Sequence, residues 1–477
     1  MFNSYEELKK YCTDKGIRFI DFKIIDLVGR WHHLTVPLEG LTDEILEQGI
    51  GIDGSSYGFL SVEKSDMVFK PDLTTAFMDH FARYPMLSVI SDIYSLEEEG
   101  AARFEGDPRY VAQKAERYLQ QSGVADSCIL WPEFEFYVLD HISYQVKPQH
   151  VEVLMDSEQA AWNTADREYG NLGYKVRSHG GYHADLPYDS SFDLRNEIVT
   201  RLQESGVPVK YHHSENGGPG QGEIELGFGP LTRMADRSMM VKYFVKNTAM
   251  ANGRTVTFMP KPFYDEAGSG MHVHIQFFRG GKPVFYDPQG YSGLSRIALQ
   301  AIGGVLQHAR ALAAFTNPST NSYKRLVPGY EAPVNIGFAT SNRSAVIRIP
   351  GYALSPEAKR FEYRPMDATC NPYLAYAAIL MAAIDGIEQQ IDPTAAGFGP
   401  FDFNLYTLSE EEKGKIKSLP RSLEEAADAL EQDYGFLTRS GVFPENLIRD
   451  QLFRLRREAE QVNTFPHPLE YEMYYDL

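Results

Sequence analysis

The chain has 477 residues, 43% of them hydrophobic and 23% charged, a composition that excludes wholesale disorder and at this length predicts two or more domains. Its formal charge of −19 argues against non-specific nucleic-acid binding, which needs Lys and Arg to neutralise phosphates. The longest apolar stretch, Tyr376–Ile384, is less than half of the roughly 20 residues that a membrane span requires, so no membrane partner is expected.

The opening residues, MFNSYEELKK, lack the apolar run of a signal peptide. Cys12, Cys128 and Cys370 are scattered, with no CxxC pair. They suit a reducing cytoplasm and exclude a disulfide framework or a thiolate zinc site. The first hundred residues read as mostly β. In Ile20–Ile24 the apolar Ile20, Phe22 and Ile24 alternate with Asp21 and Lys23, a turn follows at Asp26–Gly29, and Trp31–Val36 returns as a second strand. The small-residue loop Gly49–Gly58 contains Asp53-Gly54-Ser55-Ser56. The acidic run Glu97–Glu99 with Gly100 suits a solvated linker, which divides the chain into domains 1–105 and 106–477. A helix is predicted after Asp107, which can cap it with Pro108 at the first position and Gly123 beyond its end. Further helices are predicted at Leu294–Leu312, Pro372–Gln389 and Leu423–Gln432, the last with Ser422 and Glu425 spaced as a capping box.

The chemistry concentrates in four distant segments. In Ile129–Val138, Leu130, Phe134, Phe136 and Val138 share one strand face while Glu133 and Glu135 point the other way. In Glu223–Phe228, Ile224, Leu226 and Phe228 oppose Glu223 and Glu225. In His272–Phe277, Val273, Ile275 and Phe277 oppose His272, His274 and Gln276. In Arg360–Arg364, Phe361 and Tyr363 oppose Arg360, Glu362 and Arg364. Any one of these is an ordinary antiparallel strand with one wet side. Together they are unusual, because solvated faces favour Lys and Thr, whereas these carry Glu, His and Arg in i, i+2 pairs.

Acids crowded in a cleft repel one another and are desolvated, a cost that bound cations offset. Residues i and i+2 stand roughly 6.8 Å apart along a strand, and paired catalytic metals about 3.5–4 Å apart. Two flexible Glu side chains at that spacing can each serve one metal of a pair. An oxygen-rich set with an imidazole favours Mg²⁺ or Mn²⁺ over zinc. Glycine-rich loops, Asn216–Gln221 and Ala267–Gly270, precede two of the strands and suit either turns or close approach of backbone to a ligand. No GxxxxGK[ST] occurs, so a nucleotide here is not held by a P-loop. Arg325, Arg343, Arg348, Arg360 and Arg364 cluster late in the chain, as surface ion pairs or as a cradle for phosphate and carboxylate.

The run Asn321-Ser322-Tyr323-Lys324-Arg325-Leu326-Val327-Pro328-Gly329-Tyr330-Glu331-Ala332-Pro333-Val334 resembles the signature of the type I glutamine synthetases. So do Ser341-Asn342-Arg343-Ser344 with Ile347–Pro350, Glu133-x-Glu135, Phe258–Pro262 and Gly268-Ser269-Gly270-Met271-His272-x-His274. The resemblance covers essentially the whole chain. It implies an α+β fold: a small N-terminal β-grasp domain, then a catalytic domain with a curved antiparallel sheet, a half-barrel, backed by helices. It also implies a cytoplasmic homododecamer of two stacked hexamers, with active sites between neighbours.

Position by position, the resemblance implies that Glu135, Glu215 and Glu223 hold one divalent ion and that Glu133, His272 and Glu362 hold the other. Arg325 and Arg364, with the Gly268 backbone, would bind glutamate. Glu331 would be the flap acid and Asp53 an acid lent by a neighbouring subunit, both acting on ammonium. His213, Phe228, His274, Gln276, Arg343, Arg348 and Arg360 fall at nucleotide or phosphoryl positions, with Arg343 also catalytic. Tyr406 resembles a tyrosine that is adenylylated in some members. The implied reaction joins ammonium to the γ-carboxylate of glutamate at the expense of ATP, through an acyl phosphate.

Three positions depart from the family pattern. Ala267 stands where Asn is usual before the glycine loop, His212-His213-Ser214-Glu215-Asn216 replaces the usual HHHEV, and Gln276 replaces a common Ser. Ala267 keeps open a relative that joins glutamate to a larger amine such as a polyamine. A non-catalytic nitrogen-sensing homologue would be expected to lose ligands, and all six positions are filled.

Overall fold

The computed structural model describes every residue except 1, 98–99, 166–170, 329–331, 404–410, 412–413, 415 and 476–477. Glu331 and Tyr406 therefore lie outside the described residues.

The N-terminal part opens with helix α1 (Tyr5–Lys15), capped by the Ser4 side chain and ended by Gly16 at φ 64°. Strands β1 (Phe19–Ile25) and β2 (Trp31–Pro37) form the expected hairpin, followed by helix α2 (Asp43–Gln48) and β3 (Ile50–Asp53). β4 (Asp66–Pro71), β5 (Phe77–Asp79), β6 (Met86–Glu97) and β7 (Gly100–Arg103) complete the sheet. Its order is β2-β1-β6-β4-β3, with β5 and β7 also on β6. β1 runs parallel to β6 and the other pairs are antiparallel. This is the β-grasp expected from the resemblance. Glu97 does not belong to a linker: it pairs with Gly100, as Tyr94 does with Arg103, within the β6–β7 ladder. Asp21 and Lys23, on the polar face of β1, are buried as well. Lys23 Nζ donates to Asp21 Oδ2 at 2.8 Å and lies 4.6 Å from the Tyr243 ring centre, so the polar side of the strand packs on the rest of the protein.

The second part begins as predicted with α3 (Pro108–Ser122), whose Arg109 N–H donates to the Asp107 side chain and whose end is Gly123 at φ 68°. Then come β8 (Ser127–Leu139), an exposed hairpin of β9 (His141–Lys147) and β10 (His150–Asp156), α4 (Phe192–Glu204), β11 (Val209–Ser214), β12 (Gln221–Leu226) and β13 (Gly229–Pro230). α5 (Leu231–Ala251), β14 (Thr255–Thr257), β15 (Met271–Arg279) and β16 (Lys282–Pro283) follow. The helix predicted at 294–312 breaks at His308 into α6 (Arg296–Gln307) and α7 (Ala309–Thr316). Last are α8 (Ser322–Arg325), β17 (Asn335–Thr340), β18 (Ala345–Ile349), β19 (Phe361–Tyr363), α9 (Pro372–Glu388) and helices at Leu423–Gln432, Glu445–Asn463 and Pro468–Tyr474.

The central sheet has the order β11-β12-β8-β15-β19-β18-β17, with only β17 and β18 parallel along it. Leu130, Phe134, Phe136, Ile224, Leu226, Val273 and Ile275 line one face in the main core with α3, α5, α6 and α9. α9 is buried almost all round, which is why its sequence is apolar without helical periodicity. Among the described residues no helix is long and apolar enough to cross a membrane.

Arg109 ties the two parts together. Its guanidinium donates to Asp72 Oδ2 at 2.7 Å, Asp92 Oδ1 at 2.6 Å and Asp236 Oδ1 at 3.0 Å, and the Tyr373 hydroxyl also donates to Asp236, at 2.7 Å. Nearby, the Asp26–Gly29 turn lies so close to α9 that a Cβ on Gly29 would stand 3.0 Å from Asn371 Cα. Arg109→Met would strand the buried Asp236 carboxylate beside the half-buried Asp72 and Asp92 and should cost about 3–5 kcal/mol of stability, read by chemical denaturation.

The His308 break is held from both sides. Its Nδ1 stands 2.8 Å from Asp433 Oδ2 and its Nε2 3.0 Å from Asp385 Oδ2, while the ring stacks on Phe436 at 4.0 Å. Burial alone would lower the imidazole pKa, but the two carboxylates outweigh it and raise the value above the ordinary 6.5. The stabilisation is therefore complete below pH about 6.5 and drains away as pH rises through the elevated folded-state value. Unfolding free energies measured across that window should fall for the wild-type chain and stay flatter for His308→Gln.

Candidate active site

Strand register assembles the site. Glu133 and Glu135 leave β8 on the side opposite its buried apolar residues. Across one edge, β12 sets Glu223 opposite Glu135 and Glu225 opposite Glu133, and β11 sets His213 opposite Glu223. Across the other edge, β15 sets His272 opposite Glu133 and His274 opposite Trp131. β19 then sets Glu362 opposite His274, and β18 sets Arg348 opposite Glu362. Period-two alternation turns these cross-strand neighbours onto one concave face.

A cavity of about 750 Å³ opens over that face. It is lined by the six predicted metal positions, Glu133, Glu135, Glu215, Glu223, His272 and Glu362, and by the predicted Gly268, Arg325, Arg364, His213, Arg343 and Arg348. Two triads each bring one ligand atom per residue within 4.8 Å of one another: Glu135–Glu215–Glu223, as the resemblance implies, and Glu133–Glu225–His274. In this structure His272 Nε2 stands 3.1 Å from Glu135 Oε1, and both Glu362 oxygens accept from arginines, Arg348 and Arg364.

The acids divide into two electrostatic groups. Burial pushes Glu135 up, but His272, Arg325 and the Gly270 N–H outweigh it and hold its pKa at about 2. Glu362 is likewise pushed up by burial and pulled well down by Arg364, His274 and Arg348. Glu215 and Glu223 have weaker partners: His213, whose Nε2 stands 3.6 Å from Glu223 Oε1, and the Asn216 N–H beside Glu215. Burial, reinforced by Glu135 and Glu223, lifts Glu215 to about 8, and burial with four neighbouring acids lifts Glu223 well above the carboxylate range. The far side of the acid cluster is thus short of positive charge, which is where a cation gains most.

The glycine loop carries the other wall. The Gly270 N–H donates to Glu135 Oε2 at 2.7 Å, and Gln221 Nε2 donates to the Gly268 carbonyl at 3.0 Å. Arg325, on α8, donates to the Pro365 carbonyl at 2.7 Å and presses against both glycines. At the departure noted above, the Ala267 carbonyl accepts a hydrogen bond from the Tyr137 hydroxyl at 2.6 Å.

Several predicted residues lie outside the cavity lining. His274 and Gln276 share the face of His272 but are buried, His274 Nε2 standing 3.0 Å from Glu133 Oε1 and Gln276 Nε2 donating to the Pro356 carbonyl at 3.3 Å. Arg360 sits 5.6 Å from the ring centres of both Trp131 and Tyr352. Phe228 falls beyond the end of β12, so it leaves the apolar face where alternation put it; it is 65% exposed and packs on Trp131 at 5.5 Å. Asp53 is exposed at the end of β3, accepting from the Ser55 and Ser56 hydroxyls, which depress its pKa to about 2. Lys210, Tyr211, Lys261 and Tyr352 also line the cavity. Sequence reasoning missed them because none sits in an i, i+2 pair of acids or imidazoles.

A concave face that offers metal-type acid triads beside clustered arginines suits a reaction in which polyanions meet cations. The family description "Glutamine synthetase, catalytic domain" matches residues 105–474, and "Glutamine synthetase, beta-Grasp domain" matches residues 16–96. The glutamine synthetase of Frankia alni is 44% identical over 481 residues, covering 100% of both chains. That of Aquifex aeolicus is 44% identical over 473 residues and 99% of each. Among solved structures, Plasmodium falciparum glutamine synthetase superposes with a TM-score of 0.89 at 28% identity over 99% of each chain. A GmaS/ADP complex superposes at 0.79 and 26% identity, covering 98% of this chain and 99% of that one. The chain belongs to the glutamine synthetase family.

A Cβ on Gly270 would stand 2.5 Å from Arg325 Nη2 and 2.9 Å from His272 Cε1. Gly270→Ala should therefore displace both groups and lower turnover about 100-fold, with circular dichroism unchanged.

Proposed function

We propose that the chain is a glutamate–ammonia ligase that spends ATP to make glutamine. The observation that carries this reading is the concave face on which Glu133, Glu135, Glu215, Glu223, Glu362, His272 and four arginines line one cavity. The γ-carboxylate of glutamate attacks the γ-phosphorus of ATP and releases ADP. Ammonia then attacks the acyl carbon of the γ-glutamyl phosphate, and phosphate leaves.

Arg325 and Arg364, beside the Gly268 backbone, are assigned to the glutamate carboxylates. Arg343 and Arg348 meet the phosphates as bidentate donors, with His213, His274, Gln276, Arg360 and Phe228 on the nucleotide side. Glu135, Glu215 and Glu223 would hold one divalent cation and Glu133, His272 and Glu362 a second, either Mg²⁺ or Mn²⁺. The donor set fits, since it is oxygen-rich with imidazole, and burial and neighbouring acids outweigh what the groups around Glu215 and Glu223 offset. When bound, such ions neutralise the transferring phosphoryl group.

Ammonium becomes a nucleophile only after losing a proton. Asp53 and Glu331 are assigned to that step. Asp53 is absent from the lining of its own chain's cavity, which favours its delivery by a neighbouring subunit in a dodecamer of stacked hexamers. We assign the two domains to residues 1–105 and 106–477, and the protein to the cytoplasm, in keeping with three buried free cysteines. Tyr406 is assigned as a candidate adenylylation site.

A second reading, ligation of glutamate to a larger amine, is favoured by Ala267, whose methyl offers no amide to the substrate amino group. Phosphate release from ATP with Mg²⁺ and glutamate, with ammonium compared against a panel of amines, tests both. Release with ammonium is expected; release with a polyamine alone selects the second reading. Glu133→Ala and Glu135→Ala should each abolish release while remaining folded.

A further inference from the structure

Tyr137 stands two residues beyond Glu135 on β8 and so shares the face of Glu133 and Glu135, yet it is fully buried. Its hydroxyl donates to the Ala267 carbonyl at 2.6 Å, and its ring packs edge-on against Phe263 with centres 5.1 Å apart. Gly217 leaves room for that hydroxyl, since a Cβ there would stand 2.0 Å from its oxygen. Directly across the β8–β12 ladder lies Gln221, also buried. Its Nε2 donates to the Gly268 carbonyl at 3.0 Å and its Oε1 accepts from the Gly217 N–H at 2.8 Å. Glu135 accepts from the Gly270 N–H. Three neighbours on one ladder therefore pin Ala267, Gly268 and Gly270.

A buried tyrosine needs a partner for its hydroxyl, and any carbonyl nearby would meet that need. The partner here is a particular one. Ala267 and Gly268 both line the cavity, and neither has a polar side-chain atom, so main-chain carbonyls are the acceptors this stretch offers a ligand. A carbonyl oxygen has two lone pairs; Tyr137 and Gln221 take one apiece and leave the second. Arg325 lies against the same loop, its Cγ 2.7 Å from where a Cβ on Gly268 would stand. Acceptors beside a guanidinium match an α-amino acid, whose ammonium and carboxylate are adjacent. We infer that Tyr137 is a positioning residue for the substrate's α-ammonium: its hydroxyl fixes the Ala267 carbonyl that receives that group. The inference rests on the reading above that glutamate binds beside the Gly268 backbone. With alanine at 267 no side-chain amide makes up for a displaced carbonyl, so the aim depends on the buried hydroxyl.

Calorimetric titration of the full chain with L-glutamate and with glutarate, which has both carboxylates but no ammonium, tests this without turnover. In the wild-type chain L-glutamate should bind at least about tenfold more tightly, the scale of a charge-assisted contact. Equal affinities overturn the proposal whether or not any variant folds. Tyr137→Phe removes only the hydroxyl and should weaken L-glutamate about fivefold, the scale of one hydrogen bond, while leaving glutarate within about twofold. In turnover it should raise KM for glutamate and keep kcat and KM for ATP within about twofold. A tyrosine with a purely structural role would lower the thermal midpoint and leave the ratio of the two affinities unchanged, and that result overturns the assignment. A wild-type chain that binds glutamate but releases no phosphate sinks the ligase reading and leaves Tyr137 to be decided by the titrations. No glutamate binding at all removes both.

Discussion

The structure depends on holding carboxylates of like charge side by side on adjacent strands. Glu133 and Glu135 face Glu225 and Glu223 across a single β-ladder, at a separation where ionised acids repel strongly in a poorly solvated cleft. The surroundings relieve that repulsion unevenly. On the β15–β19 side, His272, His274, Arg348 and Arg364 compensate Glu133, Glu135 and Glu362. On the β11–β12 side, burial and neighbouring acids outweigh the little that His213 and the Asn216 N–H give Glu215 and Glu223. The imbalance gives the face a built-in direction, with fixed positive charge towards one wall and unmet negative charge towards the other.

Such a face needs a rigid support, because unpaired charges pull a soft sheet apart. The opposite side of the same strands supplies it. Phe134, Phe136, Ile224, Val273 and Ile275 are fully or almost fully buried against a helical layer that includes α9, apolar on nearly every side. Close packing leaves those strands little freedom to slide. A slip of one residue would also exchange acids for phenylalanines, so the core and the active face enforce the same register.

Much of this was legible in the amino-acid sequence because period two is a strong local signal. The strands carrying Glu133, Glu223, His272 and Glu362, the caps at Asp107 and Ser422, and the β1–β2 hairpin all follow from it or from capping chemistry. What was illegible depends on long-range partners. The break at His308 comes from carboxylates at 385 and 433, far away in the chain. Glu97 resembles the start of a linker until its pairing with Gly100 is known. Phe228 leaves the core because β12 ends at Leu226, where the Gly227 N–H donates to the Pro208 carbonyl. α1 and α2 are short, with few buried anchors, and their periodicity is correspondingly weak.

The Arg109 cluster bears on how the β-grasp module is carried. Three aspartates drawn from both parts of the molecule share one guanidinium, and the turn after β1 leaves no room between Gly29 and Asn371. The β-grasp module is accordingly a bracket rather than a pendant, fixed in angle by its mount. Whatever Asp53 reaches, it reaches at an orientation set inside its own subunit. A shift of that bracket would carry the Asp53 carboxylate with it.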